Sequence, residues 1–123
     1  MKAVFSDIDG TLSKGFVSVD FIRYLGNLGK LDSQAFCYHE KLMQDYAEKK
    51  IKYIDLVPKW AKSMAQCFKG INEKELNFLA EKFFSEWINE KIYSSTKPLI
   101  ILLKSRGYKV FLISAGWEYL AKL

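Results

Sequence analysis

Residues 2–11 read KAVFSDIDGT, a short apolar run that ends in two aspartates, Asp7 and Asp9, with one isoleucine between them. An apolar run closed by acids and a glycine reads as a strand buried on both faces. On extended backbone, residues i and i+2 point the same way, so Asp7 and Asp9 face one pocket while Ile8 faces the core. Two carboxylates that close repel unless a cation sits between them or one takes a proton. One can then attack an electrophile while the other, held at a higher pKa, delivers a proton. Gly10 lets the chain turn sharply after the acids, and Thr11 offers a hydroxyl to brace them. A calcium loop starting at Asp7 would need glycine at its sixth position and glutamate at its twelfth. Leu12 and Ser18 stand there instead, so that reading fails.

From about Ser18 to Ile92 the pattern is helical throughout. Val19, Ile22, Leu25 and Leu28 recur at helical spacing, and Gly29 stops the first helix. Asp32 reads as the N-cap of a second, with Phe36, His39, Met43 and Tyr46 on one stripe. A third carries Ile51, Ile54, Trp60, Met64 and Phe68 and ends at Gly70, with a kink or restart expected at Pro58. The fourth opens on a capping box, Asn72 with Glu75, and carries Leu76, Leu79, Phe83 and Trp87.

The pattern then changes. SSTKPLIILLKSRG, residues 94–107, reads as a helix with a Ser/Thr cap, Pro98 in its first turn and Gly107 as its stop. YKVFLISAG, residues 108–116, is a second buried strand closed by small residues, and WEYLAKL begins another helix. Helix, glycine, strand, small-residue turn and helix is the rhythm of a parallel α/β sheet. In such sheets ligands bind beyond the carboxyl ends of the strands, where Asp7, Asp9 and Ser114-Ala115-Gly116 all lie. The Ser114 hydroxyl with the Ala115 and Gly116 amides at a helix N-terminus suits a phosphoryl group. Because two strands alone do not make a stable parallel sheet, the chain is expected to be the front portion of a larger α/β domain.

Composition narrows the classes. Half of the 123 residues are hydrophobic and 15% are aromatic, which argues against disorder. No apolar run approaches the roughly 18–20 residues that cross a bilayer, and no secretory leader opens the chain. Cys37 and Cys67 lack metal-ligand spacing and read as free thiols on apolar helix faces, in keeping with a cytoplasmic protein. The net charge of +5 is spread among glutamates without a long basic run, so a nucleic-acid partner is not expected, and with no bilayer-length apolar run neither is a membrane partner. The lone His39 reads as a packing histidine.

DIDGT after an apolar strand resembles motif I, D-x-D-G-T, of the haloacid dehalogenase-like superfamily, and VFLISAG resembles its motif II. A helical insertion between the two resembles the C1 cap, and residues 92–123 look like the phosphoserine phosphatase-like branch, subfamily IB. The resemblance implies an α/β fold: a partial Rossmann-like parallel sheet core over residues 1–15 and 94–123, with an inserted all-helical cap over 16–93. It implies Asp7 as nucleophile forming an aspartyl-phosphate, and Asp9 as general acid/base. Mg²⁺ would be held by the Asp7 carboxylate and the Asp9 carbonyl, and the phosphoryl group by Gly10, Thr11, Ser114, Ala115 and Gly116. The substrate would be a small phosphorylated metabolite. Phe16 stands near the position where phosphoserine phosphatases carry a substrate-binding glutamate, which counts against phosphoserine itself. The family's later lysine or arginine and acidic pair have no counterpart in WEYLAKL, where Lys122 lies too near Ser114. The isolated chain is therefore expected to turn over little substrate. Two alternatives stand beside this: a non-catalytic chain that folds by pairing with a second copy or a complementing C-terminal half, and a phosphotransferase of the same superfamily.

Overall fold

The computed structural model describes all 123 residues. Its elements in chain order are β1 (Lys2–Asp7), α1 (Val17–Asn27), α2 (Ser33–Ala47), α3 (Tyr53–Phe68), α4 (Glu73–Lys91), α5 (Thr96–Ser105), β2 (Tyr108–Ile113) and α6 (Glu118–Lys122). The chain divides into two compact units, Met1–Asp20 with Ala80–Leu123, and Phe21–Leu79. No helix is long and apolar enough to cross a membrane.

The first unit holds a mixed α/β arrangement. β1 and β2 pair in parallel, with Lys2 across from Tyr108 and Asp7 across from Ile113. Parallel pairing requires a crossover, and α5 supplies the last part of it. Gly107 at φ +78° lets the chain leave α5 and enter β2 at once. The expected Ser/Thr cap of α5 takes another form. Ser95 makes no capping bond through its side chain, and the buried Thr96 hydroxyl donates instead to the Leu12 carbonyl at 2.8 Å. That bond ties α5 to the loop after β1.

The strands are not buried on both faces, contrary to the reading of their apolar runs. Phe5 is 66% exposed and Phe111 42%, and their rings stack at 5.1 Å. Leu112 and Ile113 are exposed as well. A sheet of two strands has two open edges, and α5 is the one helix that packs closely on β2.

The second unit is helical. Asp32 caps α2 by accepting the Ala35 amide at 2.9 Å. Asn72 accepts the Lys74 amide at 2.9 Å, but Glu75 does not close the capping box. Its carboxylate instead reaches the Lys30 ammonium at 2.7 Å. α3 runs unbroken through Pro58, and its buried positions are Leu56, Trp60, Ser63 and Cys67. Ile54 lies on the opposite side and is 79% exposed. Cys67 is buried as a thiol, whereas Cys37 is exposed. His39 is fully buried on α2, its Nδ1 3.0 Å from Ser63 Oγ. Ser63 donates to the Trp60 carbonyl at 2.8 Å, so the 3.0 Å contact must run from a protonated His39 Nδ1.

Candidate active site

The turn after β1 is closed by one carbonyl. Ile8 O accepts the amides of Thr11, Leu12 and Ser13 at 3.2, 2.9 and 3.2 Å. The fully buried Ser13 hydroxyl lies between that carbonyl, at 3.2 Å, and the Gly15 carbonyl, at 3.0 Å. Gly10 sits at φ +76°, and a Cβ there would meet open space. The left-handed backbone, not crowding, selects glycine here.

This turn presents the two acids differently. Asp7 ends β1 with an exposed carboxylate, and Thr11 donates to its Oδ2 at 3.3 Å. Asp9 is half-buried and folds back, its Oδ1 accepting the Val17 amide at 2.9 Å. That amide belongs to the first residue of α1, so Asp9 binds the positive end of the helix. Burial raises the pKa of Asp9 above the ordinary carboxylate value; the Val17 bond opposes this, and the charges of Asp7 and Asp20 add to it. Asp9 is thus biased toward its acid form beside an exposed carboxylate.

The strand register brings the second cluster to the same edge. Since Asp7 lies across from Ile113 in a parallel pair, Ser114 is the next residue beyond the same carboxyl end. Ser114 Oγ accepts the Gly116 amide at 3.0 Å, and the fully buried Ser18 accepts the Trp117 amide at 3.0 Å. The Gly116 amide is therefore turned into the loop. The Ala115 amide and the Ser114 hydroxyl proton remain as donors. A Cβ on Gly116 would lie 2.7 Å from Ser18 Oγ and 3.1 Å from Ser114 Oγ, so the loop closes only with glycine.

Ser18 and Asp20 were not evident as site neighbours from the sequence. Asp20 Oδ2 accepts the Trp87 indole N–H at 2.8 Å, which holds the first turn of α1 against α4. A buried tryptophan needs an acceptor for its N–H, and that demand was the available signal. Lys122 pairs with Glu118 one turn back on an exposed surface.

The structure groups no three histidine, cysteine or carboxylate side chains as metal ligands. Magnesium is held by one or two carboxylates together with substrate phosphate and water, and the exposed oxygen-only Asp7 fits that donor set. A family model described as haloacid dehalogenase-like hydrolase matches residues 4–123. Comparisons with curated proteins and with solved structures gave no match. The matched span takes in most of β1, all of β2, the Asp7–Gly10 turn and every helix, and the chain belongs to the haloacid dehalogenase-like hydrolases.

Proposed function

We propose that the chain carries the nucleophile half of a Mg²⁺-dependent phosphomonoester hydrolase site of the phosphoserine phosphatase-like branch. One observation carries it: the Asp7–Ile113 register, which sets an exposed carboxylate beside the Ser114 loop at one sheet edge. In this reading residues 1–15 and 94–123 are core, residues 16–93 are cap, and the substrate is a small phosphorylated metabolite met in the cytoplasm.

An Asp7 oxygen attacks phosphorus as the ester P–O bond breaks, and Asp9, whose pKa burial raises, acts as the acid that gives a proton to the departing oxygen. Asp9 then takes a proton from water as that water attacks phosphorus, and the Asp7–phosphorus bond breaks. Ser114 and the Ala115 amide hold phosphoryl oxygens, and Gly10 and Thr11 shape the loop beneath them. Mg²⁺, held by the Asp7 carboxylate and the Asp9 backbone carbonyl, would supply the positive charge that lets a dianion approach Asp7.

Release of p-nitrophenol from its phosphate ester, with and without MgCl₂, tests the proposal. The 123-residue chain is expected to turn over little. Vigorous Mg²⁺-dependent turnover abolished by Asp7→Asn would keep the nucleophile and overturn the half-site reading. Turnover that survives Asp7→Asn would overturn the nucleophile.

A second reading rests on the exposed Phe5–Phe111 stack and the open sheet edges: the sheet is covered by a second copy or a complementing segment.

A further inference from the structure

The positive charge of this protein is concentrated in one place. Residues 49–69 contain six lysines, no arginine and a single acid, Asp55, giving a formal +5 that equals the net charge of the whole chain. Residues 1–48 and 70–123 therefore balance to zero. The stretch is α3 with its two flanking loops, all within the helical unit.

The lysines surround an apolar stripe. Ile54, Pro58, Ala61 and Ala65 recur at helical spacing on the side of α3 opposite its buried Leu56, Trp60, Ser63 and Cys67, and all four are exposed. Ile54 is 79% exposed and the neighbouring Tyr53 57%. Lys50, Lys52 and Lys59 line one concavity with Ile51, Ile54, Pro58 and a single acid, Asp55. Lys50 pairs with Glu48, whereas Lys49, Lys52, Lys59, Lys62 and Lys69 have no carboxylate partner. Lys52 and Lys59 lie beside the protruding Ile54, with Lys62 one turn further along α3, while the exposed Tyr53 ring rests on Tyr46 of α2.

We propose that α3 is a docking face for an anionic lipid bilayer, with Ile54 and Tyr53 entering the headgroup region and the lysines meeting the negative surface. Charge complementarity favours an anionic surface, and the apolar tip favours a membrane over nucleic acid. Lysine ammonium groups meet lipid phosphates and nucleic-acid phosphates alike, so the exposed apolar residues make the distinction. An apolar tip gains by leaving water for the acyl boundary and gains nothing from a solvated phosphate backbone. This attachment is peripheral and needs no membrane-spanning helix, of which the chain has none. It is independent of the proposed chemistry at Asp7.

Co-sedimentation with vesicles tests it, using pure phosphatidylcholine and phosphatidylcholine with phosphatidylglycerol. The 123-residue chain binds the anionic vesicles, releases from them as salt rises, and leaves neutral vesicles unbound. The triple variant Lys52→Gln, Lys59→Gln, Lys62→Gln loses roughly 100-fold in partitioning, since each lysine near the surface contributes about a fivefold gain. Ile54→Ser loses roughly 10-fold. All four positions are exposed, and helical circular dichroism verifies that the variants are folded. Absence of binding by the folded chain, equal binding to neutral vesicles, or preferential capture by duplex DNA at the same ionic strength would each overturn the proposal.

Discussion

Asp9 Oδ1 accepts the Val17 amide at 2.9 Å, so the second acid of the DIDGT turn is also the cap of the helix that follows it. One side chain thereby ties the strand end to α1. Replacing it by alanine leaves a part-buried amide without an acceptor, and Asp9→Ala is expected to lower stability by about 1–2 kcal/mol. Asp9→Asn keeps an acceptor oxygen and should lose about half as much. Urea denaturation followed by circular dichroism distinguishes them, and equal losses would mean that Asp9 does not act as a cap.

His39 gives the chain a pH dependence. Burial lowers its pKa from the ordinary value of 6.5, with Arg23 pushing the same way and Glu40 opposing. Its protonated Nδ1 faces Ser63, and its Nε2 has no partner within the chain. A second proton on the ring would bury a charged donor with nothing to accept it. Because the unfolded chain takes that proton more readily, the stability associated with neutral His39 is complete above about pH 6.5 and is lost as pH falls below it. Thermal melts between pH 7.5 and 5 should show this decline, and His39→Gln should flatten it. An unchanged slope in that variant would assign the decline to other groups.

The two thiols should differ in reactivity. Cys67 is buried and its pKa is pushed up to about 11, chiefly by burial, while Cys37 is exposed. The thiolate is the reactive form. At pH 8 a disulfide reagent should titrate one thiol promptly and the second only after denaturant is added. Two prompt thiols would contradict the packing of α3.

The Phe5–Phe111 stack predicts association. An exposed aromatic pair on a sheet with two open edges is expected to make the chain elute larger than its 14.3 kDa in gel filtration. Phe5→Lys with Phe111→Lys should shift it toward the monomer. A wild-type chain that already elutes as a monomer would remove the second copy as the cover of the sheet.

How much the sequence discloses varies with the physics involved. The helices and their stops were legible because periodicity and punctuation are local: Asp32 caps α2, Gly29 and Gly107 take positive φ, and Leu76, Leu79, Phe83 and Trp87 are buried together on α4. Strand burial was not legible, because an apolar run records what a strand is suited to and not which neighbours cover it. Glu75 left its capping box for Lys30, a partner 45 residues away that no local pattern announces. Within the site, the placement of Asp7 and Ser114 at one edge followed from α/β topology. The inward turn of the Gly116 amide is a local bond to Ser114, whereas the approach of Ser18 depends on packing between segments 99 residues apart.

The central claim, that Asp7 and the Ser114 loop form one phosphoryl site, is tested most directly by amide NMR of the chain with MgCl₂ and beryllofluoride, an analogue of an aspartyl-bound phosphoryl group. The amides of Asp7, Asp9, Gly10 and Thr11 should shift together with those of Ser114, Ala115 and Gly116, and Asp7→Asn should abolish both sets. Shifts confined to one cluster, or shifts that persist in Asp7→Asn, would contradict it.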